Sequence, residues 1–240
     1  MTIPVHQVTW RPCRRIIPSR FPPIQLFERV ADPEDLEAVF LLESLTNDRM
    51  REEVGALHLV SQQDRITGRG AGYIMAAFTH LNPAGSRFSD GTYGVFYAAH
   101  TLDTAIAETR YHREAFMRAT AEPPMELDMR VLLADVQQHF HDIRGMHEAL
   151  PALYAAEDYT AAQAVGKQLR TQQSWGIAYD SVRHAGGECV GVFRPPAVSN
   201  CRQERHLCYV WDGERISRVY QKSALPGTWA IPEDPAEAEP

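Results

Sequence analysis

A guanidinium, a phenol and a carboxylate lie within one stretch of the chain, residues 85–112, on Arg87, Tyr97 and Glu108. A guanidinium binds oxyanions, a phenol combines a ring face with a hydroxyl, and a carboxylate accepts hydrogen bonds and stabilises positive charge. A single Arg or Glu is most often a solvated surface residue, so each of the three is weak by itself. Their occurrence in one strand-to-helix unit favours a functional site.

The sequence of this stretch predicts a strand followed directly by a helix. From 92 to 99, aromatic and β-branched residues predominate, as is typical of a strand. Thr101 is a suitable N-cap, and Asp103 suits the positive end of the helix dipole. Glu108 lies about 100° from the middle of the apolar face of that helix. On this shoulder, a carboxylate can reach a cleft without being buried in the core.

The composition is that of one soluble domain. The chain has 240 residues, 44% of them hydrophobic, which is enough for a single substantial core. A formal net charge of −7 argues against a broad nucleic-acid-binding surface, so no direct nucleic-acid partner is expected. No apolar stretch has the length of a membrane span, and no signal-peptide pattern is present, so we expect a cytoplasmic protein without membrane contact. The cysteines lack Cys-X-X-Cys spacing, which favours reduced thiols.

The order of predicted elements indicates a single α+β domain, with mixed or antiparallel strands and flanking helices. Prolines in residues 1–23 predict an extended, loosely attached N-terminal arm, and excess Pro and Glu predict a disordered acidic tail at 225–240. The domain then spans 24–224. Its other predicted elements are a strand at 24–30, helices beginning at 32 and 49, a strand at 125–136, a helix at 159–175, and hairpins formed by 177–182 with 189–193 and by 207–211 with 215–220.

Two further motifs have simpler interpretations. Glycines in the segment 68–72 could approach a phosphate, but no strand precedes them and no βαβ unit follows, so a connecting loop is favoured. His139, His141 and His147 lack the spacing of metal ligands on one helix face, so no metal site is predicted.

Three segments, 87–99, 104–109 and 179–189, together resemble the RES-domain proteins, a family named for its Arg, Glu and Ser. The resemblance extends from about Leu26 to Tyr220. Many members are toxins of bacterial type II toxin–antitoxin pairs. The resemblance implies a fold similar to ADP-ribosyltransferases, with NAD⁺ as the substrate and no other cofactor.

The resemblance also implies which residues act. Carried over by position, the family's Arg corresponds to Arg29, its Glu to Glu108 and its Ser to Ser181, while Arg87 and Tyr97 line the pocket. Cleavage of the nicotinamide–ribose bond passes through an oxocarbenium-like state, which Glu108 would stabilise. Arg29 and Arg87 would bind the pyrophosphate, and Tyr97 would stack on nicotinamide. Ser181 would bind the carboxamide or orient Glu108.

Two questions stay open on the sequence alone. In some members the hydroxyl comes from a position that would be Thr160 here, so Ser181 and Thr160 are alternatives. The ADP-ribose acceptor can be water, phosphate or a protein; Ile106 stands where many protein-modifying transferases have Glu or Gln, which favours a small acceptor. A non-catalytic binding module is a third alternative, and the joint presence of Arg, Tyr, Glu and Ser argues against it.

A partner is implied as well. A toxin that depletes NAD⁺ is held inactive by a cognate antitoxin, expected to be a basic DNA-binding protein that covers the cleft, and a homodimer can form within such a complex. The net charge of −7 is compatible with a basic partner.

Overall fold

The structure is a computed structural model that describes residues 3–30, 32–44 and 49–223. The strands are β1 (Val5–Pro18), β2 (Phe96–Ala99), β3 (Met125–Asp142), β4 (Gly176–Asp180), β5 (Glu188–Val192), β6 (Val198–Trp211) and β7 (Ile216–Lys222). The helices are α1 (Gln25–Arg29), α2 (Leu36–Ser44), α3 (Arg49–Val54), α4 (Ala71–Thr79), α5 (Leu102–Ala119) and α6 (Thr160–Thr171). None of the helices in these ranges is long and apolar enough to cross a membrane.

The sheet closes on itself because one of its strands pairs on both sides. The strand order is β1-β2-β5-β4-β3-β6-β7, and β1 also pairs with β3. The pairings of β1, β2, β5, β4 and β3 therefore form a ring, from which β6 and β7 extend. β3 and β4 are parallel, whereas the other pairs are antiparallel. This mixed sheet with flanking helices confirms the predicted α+β class.

Two apolar cores lie on opposite faces of the sheet. The alternation along β2 shows the division, because Phe96 and Ala98 belong to the first core while Tyr97 and Ala99 pack in the second. Helices α1 and α4 contribute to the first core, and α5 and α6 contribute to the second. A polar side chain on a helix therefore lies on the side of the sheet that this helix covers.

The prediction of a loosely attached N-terminal arm at 1–23 is wrong for Val5–Pro18, which form β1. This strand pairs with β3 along its whole length, so it is an integral part of the sheet. Its buried Trp10 and Cys13 belong to the first core. Pro12 is tolerated because it lies where the register shifts between those two residues, and such an irregularity accommodates a residue without an N–H.

The predicted strand at 24–30 is also wrong, since Gln25–Arg29 forms the short helix α1. Leu26 and Phe27 are adjacent and both fully buried in the first core. A strand cannot place two successive side chains on one face, whereas a turn of helix can turn both toward the same core. Apolar content alone did not distinguish the two.

Several other predicted elements are confirmed. Thr101 caps α5, and its side-chain oxygen accepts a hydrogen bond from the backbone N–H of Thr104 at 3.3 Å. Both predicted hairpins are present, as β4–β5 and β6–β7. Strand β3 is longer than predicted and includes His139 and His141. The predicted tail at 225–240 lies outside the described residues.

The glycine-containing segment 68–72 leads into α4 and binds a carboxylate of the protein itself. Gly70 donates its backbone N–H to both oxygens of Glu28, at 3.1 and 3.0 Å, and Gly72 donates to one of them at 3.0 Å. A Cβ on Gly72 would lie 2.6 Å from backbone atoms of Ile24, so the close approach of α1 requires glycine here. The anion-binding capacity of this helix N-terminus is thus used within the fold.

Replacing Glu28 by Ala should destabilise the domain. The change leaves the buried N–H groups of Gly70 and Gly72 without their acceptor, which costs about 1–3 kcal/mol for each unsatisfied group. Urea unfolding followed by fluorescence measures the loss. Glu34→Ala, at an exposed position, is the matched control and should change the unfolding free energy little. Equal midpoints for the Glu28 variant and the unmodified chain would contradict the assigned contact.

Candidate active site

Glu108 and Ser181 meet where α5 passes the end of β4. The hydroxyl of Ser181 donates to Glu108 Oε1 at 2.6 Å. The same hydroxyl oxygen accepts hydrogen bonds from the backbone N–H groups of Arg183 at 3.1 Å and His184 at 3.0 Å. Because its lone pairs are engaged by those two donors, its proton is directed to the carboxylate. Ser181 therefore fixes the orientation of Glu108.

The second oxygen of Glu108 is open to a ligand. Glu108 is partly buried, and Oε2 makes no hydrogen bond within the described part of the chain. Asp180, the carboxylate next to Ser181, is engaged elsewhere: it accepts from the backbone N–H of Gly145 at 2.6 Å and pairs with His147 at 3.5 Å. Glu108 is thus the carboxylate at this point that remains available for chemistry.

The two alternatives for the site hydroxyl occupy different positions. Ser181 is buried and bonds directly to Glu108. Thr160 is exposed at the start of α6, where its backbone N–H and side chain interact with Asp158. The geometry brings Ser181, and not Thr160, to the carboxylate.

Arg87 lies beneath the surface of the same region. Its side chain is buried, and Nη1 donates to the backbone carbonyls of Leu153 and Ala155, both at 3.0 Å. The guanidinium also lies over the ring of Tyr159, 4.6 Å from its centroid. Arg87 therefore fixes the segment that precedes α6, in addition to contributing positive charge.

Tyr97 fixes the loop that carries Arg87. Its hydroxyl accepts from the backbone N–H of Phe88 at 2.9 Å and lies 2.8 Å from the hydroxyl of Ser86. Burial raises the pKa of Tyr97 to about 12, despite these hydrogen bonds. Because the hydroxyl is hydrogen-bonded within the protein, only the ring of Tyr97 is available for the expected contact with nicotinamide.

Helix α6 closes this arrangement from the other side. A Cβ on Gly166 would lie 2.2 Å from the carbonyl oxygen of Phe88, so the helix backbone touches the loop at a glycine. Gln163 adds a hydrogen bond from its side-chain amide to the carbonyl of Ser86 at 3.1 Å. The loop of Arg87 is thus held by both β2 and α6.

The pKa of Tyr179 responds to several of the site residues. Its pKa is raised well above the ordinary value, first by burial and then by neighbouring groups that include Glu108 and Tyr97. The positive charge of Arg87 acts in the opposite direction. Glu108, Tyr97 and Arg87 therefore all lie within electrostatic reach of this buried phenol.

Arg29 is placed apart from these residues. It is an exposed residue at the end of α1, whose buried side chains belong to the first core. Tyr97 and the buried side of α5 pack in the second core, on the other face of the sheet. The helix of Arg29 thus packs on the face of the sheet opposite to that of Tyr97 and α5, which the order of residues along the chain does not show.

Two residues that the sequence did not single out belong to this region, His112 and Arg183. His112 follows Glu108 by about one helical turn, and its side chain is accessible to solvent. The protein around its ring lowers the pKa of His112, and the positive charges of Arg183, Arg113 and Arg87 add to the effect. Arg183 could have been suspected because it stands close after Ser181 in the matching segment.

Two histidines of β3 and its vicinity have partners within the protein. His141 is bonded to Ser174 at 2.8 Å, and His147 stacks on Tyr154 with ring centroids 3.8 Å apart. Among the described residues, no group of three or more His, Cys, Asp or Glu side chains could hold a metal ion.

Comparison with known proteins identifies the family. The family model of the RES domain matches residues 63–212. The uncharacterized protein y4oC of Sinorhizobium fredii (strain NBRC 101917 / NGR234) is 33% identical over 206 residues, which cover 86% of this chain and 85% of that relative. A chain in the crystal structure of the M. tuberculosis MbcT–MbcA toxin–antitoxin complex is similar over 87% of each chain, with 13% identity and a TM-score of 0.47. The family match and the relative are sufficient: the chain belongs to the RES domain family.

Proposed function

We propose that this chain is a toxin that depletes NAD⁺ by cleaving the bond between nicotinamide and ribose. One observation carries the proposal. Ser181 orients Glu108 by a hydrogen bond and leaves the second carboxylate oxygen without a partner among the described residues, within a chain of the RES family. Two of the three residue types for which the family is named are joined in that contact.

For the third residue type, we assign the family's Arg to Arg87 in place of Arg29. The family match begins at residue 63, so Arg29 lies outside it. Arg87 lies within the match and within electrostatic reach of Tyr179, as does Glu108. Its role combines a positive charge near the substrate with the fixing of the segment at Leu153 and Ala155.

The chemistry follows from the charge that develops during cleavage. As the C–N bond breaks, its electron pair leaves with nicotinamide, which becomes neutral, and the ribose becomes oxocarbenium-like. Glu108 stabilises that positive charge and accepts a hydrogen bond from a ribose hydroxyl. Water or phosphate then forms the new bond to the ribose carbon, and no acid is required for the departure of nicotinamide.

Glu108→Gln should lower NAD⁺ turnover about a hundredfold to a thousandfold, because a neutral amide keeps the shape of the side chain but does not stabilise a cation. The purified chain is incubated with NAD⁺, with and without phosphate, and its products are separated. Free ADP-ribose identifies water as the acceptor, and ADP-ribose 1″-phosphate identifies phosphate.

The matched control for this variant is Glu34→Gln, at an exposed position remote from Ser181 along the chain. It makes the same chemical change and should leave turnover as it is. Near-normal NAD⁺ consumption by the Glu108 variant would refute the role assigned to the carboxylate.

Ser181→Ala should lower kcat about tenfold, since the charged hydrogen bond that orients Glu108 is lost. Ser181→Thr retains a hydroxyl and should recover most of the activity. Steady-state kinetics of the two variants distinguish positioning from a contact with the carboxamide, because loss of a substrate contact alone would raise KM and leave kcat unchanged.

A toxin of this activity requires a separate inhibitor, and we propose a cognate antitoxin whose segment covers the cleft at Glu108. Expression of the chain alone should arrest growth, and coexpression of the antitoxin should restore it. The purified complex should neither bind nor consume NAD⁺ until it is dissociated. Turnover by the intact complex at the rate of the free chain would show that occlusion is the wrong mechanism.

A further inference from the structure

We infer that Arg183 forms a phosphate-binding subsite beside Glu108, which takes the diphosphate of a dinucleotide substrate. The identity of the substrate rests on the proposed function. The existence of the subsite rests on the contacts of Arg183 and can be tested without any turnover.

The guanidinium of Arg183 is held firmly but is not neutralised. Its carbon lies 3.3 Å from the centroid of the Tyr111 ring, and Nη2 donates to the carbonyl of Ala156. Nε is buried and has no hydrogen-bond partner. Arg183 forms no ion pair with a described carboxylate. A positive charge without a carboxylate partner can be balanced by a bound anion.

Arg183 lacks a carboxylate partner among the described residues, although the whole chain carries a net charge of −7. A planar guanidinium without such a partner is suited to the oxygens of a phosphate.

The contacts of Arg183 place it beside the site of Glu108. In a dinucleotide, the diphosphate is separated by one sugar ring from the bond that is cleaved. The backbone N–H of Arg183 bonds to Ser181, which bonds to Glu108, while its guanidinium stacks on Tyr111, about one helical turn beyond Glu108. Arg183 therefore lies next to the carboxylate but not in contact with it.

Arg183 and Arg87 differ in their burial and in the hydrogen bonds of Nη1. Arg87 is buried, with Nη1 shared between two backbone carbonyls of the protein. Arg183 is only partly buried, and its Nη1 makes no hydrogen bond to the described residues. Arg183 can thus offer a nitrogen to a ligand without giving up a contact of the fold.

Calorimetry with three ligands tests the subsite: inorganic pyrophosphate, ADP-ribose and nicotinamide riboside. Arg183→Gln should weaken pyrophosphate and ADP-ribose at least tenfold and leave nicotinamide riboside unchanged, since only the first two carry a diphosphate. Arg183→Lys should weaken the same two ligands less, because it retains the charge but not the forked geometry. Arg215→Gln, at a residue 71% exposed on the β6–β7 turn, is the matched control and should bind all three as the unmodified chain does.

The inference would be overturned if the unmodified chain did not bind pyrophosphate, or if Arg183→Gln bound pyrophosphate as the unmodified chain does. It would also be overturned if Arg183→Gln weakened nicotinamide riboside as much as pyrophosphate, because such a loss would show that Arg183 has a structural role. Failure of the proposed function gives a different result. An unmodified chain that binds pyrophosphate through Arg183 but does not consume NAD⁺ would refute the enzymatic proposal and retain the subsite.

Discussion

The strands β2, β4 and β5 are buried on both faces of the sheet, and this constraint decides where polar chemistry can occur in the domain. Each face must be covered by helices, because strand side chains alternate between the two cores. On the first face, the polar groups at the helix ends satisfy one another, as Glu28 does with the start of α4. On the second face, Glu108 on the shoulder of α5 and the polar residues after β4 remain at the edge of the core, and there a site can form.

The site is rigid because each polar side chain is held by a different element of the fold. Ser181 joins the end of β4 to α5, Tyr97 joins β2 to the loop of Arg87, and Arg87 joins that loop to the segment before α6. Such mutual support keeps catalytic groups in place before the substrate arrives. It also means that several of these residues stabilise the fold in addition to the role proposed for them at the site.

The sequence predicts those features of the structure that depend on residues close together along the chain. The cap at Thr101, the shoulder position of Glu108 and the two hairpins follow from local patterns, and all are found. The strand β1 and the helix α1 were mispredicted because their structure is decided by partners far along the chain. The same reason explains Arg29, whose helix packs on the face of the sheet opposite to that of α5. The contact between Glu108 and Ser181 was expected only from the family resemblance, since spacing alone does not bring them together.

The pairing of β1 with β3 has a consequence for synthesis on the ribosome. β1 is synthesised first, but its partner β3 ends at Asp142. The backbone groups of β1 therefore stay unpaired until more than half of the chain has been made. Ser181 follows Glu108 by 73 residues, which at translation rates of about 5–20 residues per second corresponds to about 4–15 s. A nascent chain therefore has its carboxylate well before the hydroxyl that orients it. The contact between Glu108 and Ser181 therefore cannot form until about three quarters of the chain has been made.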